Sequence, residues 1–140
     1  MVDTRPHGVR PPLPFADESF DLVYAVSVFT GLEETDQLVW MNELARVVRP
    51  DGAIIVTFHG RSGIEYLHGH PLHDEVAPSF EAGRLASLRP APARDAPLAT
   101  YHPEGYVRNV LAGDLDVVDY SPGGALDVKQ DAVLFRRPAR

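Results

Sequence analysis

Residues 20–29 read FDLVYAVSVF, and residues 53–58 read AIIVTF. Both runs are almost continuously apolar and rich in β-branched and aromatic residues, which is typical of strands buried on both faces of a parallel sheet. Between the two runs, apolar residues recur at helical spacing on one face: Leu38, Met41, Leu44, Ala45 and Val48. The sequence therefore predicts a strand-helix-strand unit over residues 15–60, with a right-handed crossover.

The ends of this unit indicate where a ligand would bind. Thr35 is the predicted N-cap of the helix, and the Pro-Asp-Gly sequence at 50–52 is expected to end the helix and turn the chain. Ligands of open α/β sheets bind beyond the carboxyl ends of the strands. Because parallel strands share that edge, we expect residues 27–31 and 57–60, and with them Ser27 and His59, to line one crevice.

Composition limits the classes of function. The 140 residues suffice for one domain, and the net charge of −7 comes with no basic cluster. Electrostatic binding to nucleic acid or to an anionic membrane is therefore not expected. The chain has no cysteine, which excludes disulfides and thiolate metal sites and fits a cytoplasmic location. We find no signal-peptide pattern at the N-terminus and no apolar run long enough to cross a bilayer.

The rest of the chain is expected to belong to the same domain, after an irregular lead-in at 1–14. Residues 61–100 read as an irregular insert with a short helix at 64–68 and a Pro/Ala linker at 90–97. Residues 101–140 are predicted to form a helix at 101–112 and two final strands at 115–120 and 132–135, with a turn at 121–124.

Two segments of the insert have compositions that could bind ions. The segment HGHPLHD at 68–74 contains three histidines and an aspartate, but Gly69 and Pro71 interrupt any regular geometry. The segment GRSG at 60–63 lacks the lysine of a nucleotide-binding loop. We therefore predict a polar loop and a plain strand-to-helix turn, and no metal site.

Three longer segments, taken in order, resemble a known family. They are PPLPFADESFDLVYAVSVFT at 11–30, NELARVVRPDG at 42–52 and TFHG at 57–60, and shorter landmarks follow at 101–103, 122–124 and 130–131. This series is similar to class I S-adenosylmethionine-dependent methyltransferases. Two positions depart from the family pattern, because Gly31 stands where the family usually has His and Asp51 where it usually has Gly.

The resemblance implies an α/β fold with a Rossmann-like methyltransferase sheet. The family's Gly-rich cofactor loop and its ribose-binding acidic residue have no counterpart before Pro11. We therefore expect a partial domain, a truncated or mis-started chain that holds strands four to seven of a seven-stranded sheet. These strands would be joined by crossover helices and end in an antiparallel pair.

The resemblance also implies the cofactor, S-adenosylmethionine, and the residues around it. Ala25, Val26 and Ser27 would border its methionine part, and Leu13 would border its adenine. From the residues alone, the first three are core and strand-end positions, although such ends are where sites occur.

Candidate catalytic residues are His59, His102 and Tyr101. Each imidazole could accept a proton from a hydroxyl or an amine near neutral pH, and Tyr101 could orient the acceptor. The alternative for each histidine is an ordinary packed or solvated side chain.

The predicted function is methyl transfer from S-adenosylmethionine to a small-molecule acceptor. The alternative is an inactive α/β remnant or interaction module that binds no cofactor. A nicotinamide-dependent domain is disfavoured because the Gly-x-Gly-x-x-Gly fingerprint is absent. With no strand beside residues 22–27, we expect Val23, Tyr24 and Val26 to be unusually exposed and the sheet edge to self-associate.

Overall fold

A computed structural model describes residues 10–89, 98–125 and 129–139. Its elements are β1 (Phe20–Ala25), α1 (Glu34–Val47), β2 (Val48–Phe58), α2 (Arg61–Tyr66), α3 (His73–Glu81), β3 (Ala86–Leu88), β4 (Ala99–Tyr101), α4 (Glu104–Tyr106), β5 (Asp116–Ala125) and β6 (Gln130–Arg136). A 3-10 turn, Phe29–Gly31, follows β1, and a π-helical turn, Val107–Leu111, continues α4. No helix in these ranges combines the length and the apolar character needed to span a membrane. The predicted linker at 90–97 and residues 1–9 of the lead-in lie outside the described residues.

The main sheet has the strand order β1-β2-β6-β5. β1 pairs with β2 in parallel, from Phe20 opposite Val48 to Ala25 opposite Val56. β6 lies antiparallel to both β2 and β5. The predicted α/β class, the strand-helix-strand unit and the closing antiparallel pair are therefore confirmed. A separate two-stranded sheet, β3-β4, lies in the region that was predicted to be irregular.

One face of the main sheet carries the larger core. Alternate residues of β2 point to this face, and Ile54, Val56 and Phe58 have no exposed surface. They pack with Val133 and Phe135 of β6 and with apolar residues of α1 and of the π-helical turn. Continuous apolar runs therefore do mark the central strand, but only one of its faces is fully buried.

The other face is open at β1. The exposed fractions are 50% for Leu22, 71% for Tyr24 and 49% for Val26, whereas Val23 is half-buried against the core. In the described sheet, β1 has one partner strand and forms an edge. The low burial predicted for Tyr24 and Val26 is confirmed, whereas the same prediction for Val23 is wrong because Val23 packs against the core.

The unit from β1 to β2 differs in detail from the prediction. β1 ends at Ala25 rather than at Phe29, and α1 begins after Glu33 rather than after Thr35. α1 ends at Val47, and β2 begins at once, with a register shift opposite residues 20–22. Asp51 lies in this irregular stretch with φ of 61°, a left-handed conformation that Asp tolerates better than most residues.

The predicted turn at 121–124 is part of a strand. β5 continues to Ala125, with an irregular register between Ser121 and Ala125. The main-chain N–H of Gly123 donates a hydrogen bond of 2.9 Å to Asp131 on the neighbouring strand. This cross-strand bond keeps the Pro-Gly-Gly segment beside β6, whereas the sequence pattern predicts a turn at these residues.

The predicted helix at 101–112 starts later than expected. Tyr101 belongs to β4, and α4 begins at Glu104 before it passes into the π-helical turn. Tyr101 pairs with Ala86 of β3 and makes an isolated bridge with His59. These long-range partners draw Tyr101 into a strand against its local pattern.

α3 was missed in the sequence. Pro78 lies inside the helix, and the segment has no good capping residue, so local signals are weak. Its buried side chains Val76 and Phe80 pack with Ile64, Leu88 and other residues in a second apolar cluster. Tertiary packing therefore stabilises a helix that the sequence alone did not indicate.

We expect the 140-residue chain, expressed alone, to self-associate through the edge and open face of β1, because unpaired apolar strands recruit other strands. Size-exclusion chromatography with light scattering should show species larger than a monomer. Tyr24→Lys should shift the chain towards monomer, since a charge on an edge strand opposes pairing. Val110→Lys, at a similarly exposed apolar position away from β1, is the control. A wild-type chain that elutes as a clean monomer would contradict this expectation.

Candidate active site

The carboxyl ends of β1 and β2 are joined by a polar network. Ser27 follows β1 with φ of 57°, a strained conformation for a residue with a Cβ. Its main-chain N–H donates to Thr57 Oγ1 at 2.9 Å, and its hydroxyl accepts from Gln130 Nε2 at 3.0 Å. The Thr57 hydroxyl in turn donates to Gln130 Oε1 at 2.5 Å. The three side chains hold the chain after β1 in one conformation and tie together β1, β2 and β6.

The residues beside Ser27 form an accessible surface. Ala25 is the last residue of β1 and is partly buried, while Val26 is about half exposed. Because β1 and β2 are parallel, Ser27 and His59 lie at the same edge of the sheet, as predicted. The structure therefore brings Ala25, Val26 and Ser27 together with His59 at the crevice.

Leu13 lies elsewhere. Its main-chain N–H donates to Glu43 Oε1 at 2.6 Å, and its carbonyl accepts from Arg46 at 3.3 Å. These partners belong to the last part of α1, which leads directly into the amino end of β2. Leu13 is thus at the opposite edge of the sheet from Ser27, because the Glu43–Arg46 pair holds the lead-in there.

His59 and Tyr101 are in direct contact at this edge, where Tyr101 is buried. Their rings stack with centroids 5.3 Å apart, and the two residues are joined by a strand-like bridge. Burial lowers the pKa of His59 from its ordinary value, although the nearby Asp131 opposes this shift. Burial also raises the pKa of the Tyr101 phenol. At neutral pH the site therefore presents an uncharged imidazole that can accept a proton and an intact phenol.

His102 lies behind this pair, in the core. It has no exposed surface, its ring packs 4.7 Å from the Phe58 ring, and its Nε2 lies 2.8 Å from Gln37 Oε1. Burial lowers its pKa to about 3, and the neighbouring His59 adds to the effect. Its main-chain N–H donates to the His59 carbonyl at 2.7 Å. His102 thus contacts His59 through the backbone, and its side chain supports the fold.

The sequence placed Thr57 in the crevice, but gave no role in the site to three further residues at this edge: Tyr120, Gln130 and Asp131. The Tyr120 hydroxyl donates to Asp131 Oδ2 at 2.8 Å, and Asp131 is 2% exposed. Burial raises the pKa of Tyr120, and the charge of Asp131 adds to the shift. Gly60 is required beside this pair, because a Cβ there would lie 1.7 Å from Asp131 Oδ2. The pair 130–131 had been noted as a family landmark, but no pattern indicated which strands it joins.

The histidine-rich segment shows no metal geometry. The rings of His68 and His73 lie 5.6 Å apart, and His70 Nδ1 accepts a hydrogen bond from the main chain of Leu72. In the part of the chain that the structure describes, no group of acidic or histidine side chains is arranged to hold a metal ion.

Comparisons with known proteins agree with this architecture. Residues 7–56 match the sequence model of the family described as "Methyltransferase domain". The methyltransferase GfsG of Streptomyces halstedii is 41% identical over 44 residues, which are 31% of this chain and 15% of that protein. The family match thus covers part of the lead-in and most of the strand-helix-strand unit.

Solved structures match over more of the chain. A SAM-dependent methyltransferase from Methanosarcina mazei has a TM-score of 0.64 at 14% identity. The match covers 92% of this chain and 64% of the Methanosarcina chain. The 1,6-didemethyltoxoflavin-N1-methyltransferase of Burkholderia thailandensis, solved with 1,6-didemethyltoxoflavin and S-adenosylhomocysteine, has a TM-score of 0.61 at 11% identity. This match covers 87% of this chain and 45% of the Burkholderia chain. The resemblance to class I S-adenosylmethionine-dependent methyltransferases is confirmed, and this chain spans less than two thirds of those relatives.

The edge residues can be compared with the methionine part of S-adenosylmethionine, the cofactor that the sequence resemblance implies. S-adenosylmethionine has an apolar methylene stem beside polar groups, and the edge offers half-exposed Val26 next to the Ser27 main chain. The left-handed Ser27, held by Thr57 and Gln130, provides a fixed surface for close approach. Within the described ranges, the hydrogen bonds of this network involve only uncharged groups, so it supplies no acidic partner for a ribose.

We expect Thr57→Val to destabilise the chain by about 1–3 kcal/mol. The Ser27 main-chain N–H and the Gln130 side-chain oxygen Oε1 would both lose the Thr57 hydroxyl as their hydrogen-bond partner. Urea unfolding measures the loss. Thr57→Ser keeps the hydroxyl and should be the milder change. Little loss in Thr57→Val together with a larger loss in Thr57→Ser would show that the methyl group, and not the hydroxyl, matters at this position.

His102 should make stability depend on pH. Its folded pKa lies below that of the unfolded chain, so its contribution is complete above about pH 6.5 and is lost as pH falls towards 3. From pH 7 to pH 5 this group alone should remove about 2 kcal/mol from the free energy of unfolding. Urea unfolding at both pH values should show a smaller drop in His102→Gln than in the wild type. His70→Gln, at an exposed site, is the control, and a drop that is the same in all three proteins would contradict the assignment.

Proposed function

We propose that this chain takes part in the transfer of a methyl group from S-adenosylmethionine to a small-molecule acceptor at the carboxyl edge of β1 and β2. The observation that carries the proposal is the strained Ser27, held by Thr57 and Gln130 where two parallel strands end. Strained backbone of this kind is concentrated at functional sites. The Burkholderia relative, solved with S-adenosylhomocysteine and a small heterocycle, supports both ligand classes.

On the cofactor side, Ala25, Val26 and Ser27 would border the methionine part. The sulfonium of the cofactor supplies an activated methyl group, and transfer requires mainly that the acceptor atom be held close and in line. The hydrogen bonds to Thr57 and Gln130 fix the main chain at Ser27 from one side. The exposed side of this residue is left for the cofactor. Leu13, at the opposite edge, has no part in this proposal.

On the acceptor side, His59 is the proposed proton acceptor. Its neutral imidazole can take a proton from a hydroxyl or an amine as the methyl group arrives. Tyr101, stacked on His59, would orient the acceptor. His102 acts as a positioning residue, since its main-chain N–H holds the His59 carbonyl and its buried ring packs on Phe58.

A second candidate is an interaction module that binds no cofactor. The exposure of Leu22 and Tyr24 on an edge strand favours it, because such surfaces pair with other chains. The coding sequence upstream of Met1 discriminates between the two candidates. A Gly-rich loop encoded there in frame would favour methyl transfer.

The 140-residue chain should bind S-adenosylhomocysteine with a dissociation constant well above the micromolar range, because it contains no Gly-rich cofactor loop. Amide NMR of the labelled chain, titrated to millimolar ligand, should show shifts grouped at residues 25–28 and 57–60. Residues 110–115, at another surface, serve as the internal control. The Tyr24→Lys background provides a monomeric sample if the wild type self-associates.

Absence of shifts at residues 25–28 up to millimolar ligand would contradict the proposed cofactor edge and favour the interaction module. A micromolar dissociation constant from calorimetry would instead show that the chain carries a more complete cofactor site than its sequence predicts.

A further inference from the structure

A cleft of about 480 Å³ opens next to the crevice, within the range of small-molecule sites. The aromatic rings of Phe80 and Tyr120 contribute to its lining. Its charged lining residues are Arg61, Glu81, Glu104 and Asp131. The cleft meets the proposed reaction site at Asp131, whose carboxylate lies against Gly60 and next to Gln130 of the Ser27 network.

Asp131 is an unusual buried carboxylate. Its two oxygens accept hydrogen bonds from the Tyr120 hydroxyl and the Gly123 N–H, which are neutral donors. The other buried carboxylate in the described residues, Glu43, is paired with the Arg46 guanidinium at 2.6 Å. Buried charges in proteins are normally paired with an opposite charge. Asp131 therefore lacks the partner that Glu43 has.

The cations around the cleft are already engaged. Arg61 is paired with Glu81, and Arg108 is paired with Glu104 at 2.7 Å. Each of these exposed pairs is neutral overall, and within the described ranges no ion pair compensates the charge of Asp131. His59 does not compensate it at neutral pH, since burial lowers the pKa of that imidazole.

The two aromatic rings of the lining already carry cations of the protein itself. The Arg61 guanidinium carbon lies 4.9 Å from the centre of the Phe80 ring, and that of Arg108 lies 5.4 Å from the centre of the Tyr120 ring. Phe80 is only 3% exposed, so its ring offers little surface to a ligand. The feature of the cleft that favours a cationic ligand is therefore the carboxylate of Asp131.

We propose that this cleft binds the methyl acceptor, that the acceptor carries a cationic nitrogen, and that Asp131 is its counter-ion. The identification of the ligand as the acceptor rests on the proposed function, whereas the preference for a cationic amine rests on the cleft alone. Asp131 is then a residue that determines specificity, oriented by Tyr120 and Gly123.

Isothermal titration of the 140-residue chain with 2-phenylethylamine and with 2-phenylethanol at pH 7.5 tests this proposal. The two probes share an aromatic ring and a two-carbon stem and differ in charge. We expect the amine to bind at least tenfold more tightly than the alcohol, the range for a hydrogen bond to a charged group. This comparison needs no variant and does not depend on folding of a mutant.

Asp131→Asn should remove most of the preference for the amine, while Asp116→Asn, at an exposed acidic position of β5, should leave it unchanged. Equal affinity for the two probes, an unchanged preference in Asp131→Asn, or no binding of the amine at millimolar concentration would each overturn the proposal. The test uses no cofactor. A negative result with the amine therefore does not contradict the proposed cofactor edge. A negative S-adenosylhomocysteine titration does not contradict the proposed cation site.

Discussion

β2 is hydrogen-bonded on both sides, in parallel to β1 and antiparallel to β6, and the rest of the structure depends on this double pairing. Its side chains Ile54, Val56 and Phe58 are fully buried against α1, β6 and the π-helical turn. Burial of each contributes on the order of 2 kcal/mol relative to an exposed side chain. The strand is thereby held in one register, and with it every residue that follows at its carboxyl end.

That register collects polar groups at one edge. β1 and β2 end there and β6 begins there, so Ser27, Thr57, Gln130 and Asp131 meet although they are far apart in the chain. Buried polar atoms need partners, and most of these atoms find them in each other. The network uses the inner atoms of Ser27 and leaves its outer side open. A rigid edge with an accessible surface is what an in-line transfer reaction requires of its binding site.

The two faces of the sheet differ in how they are covered. α1 and the π-helical turn pack on one face, and Leu22, Tyr24 and Val26 are exposed on β1 at the other. The solved relatives with this fold are longer than this chain, which covers 64% of one and 45% of another. The open strand and the crevice belong to the same part of the molecule. Any molecule that packed on β1 would therefore also border the crevice.

The sequence by itself determined the class of fold and the location of the crevice. The two apolar runs and the helical spacing between them are local patterns, and they predicted the parallel unit and the shared edge of Ser27 and His59. Such patterns can be recognised in the sequence alone because apolar residues recur at the period of the helix or strand that they form. The family resemblance added the expected cofactor, the closing antiparallel pair of strands and the exposure of Tyr24.

Only the tertiary structure decided which side chains meet. Leu13 is held at the far edge by Glu43 and Arg46, His102 is buried against Phe58, and Tyr101 is drawn into β4 by partners more than ten residues away. Asp131 lies in a short family landmark that indicated no role for it, yet its burial beside neutral donors is the basis of the proposed cation site. Contacts between distant residues depend on strand register and helix packing, and these are set by the folded chain as a whole.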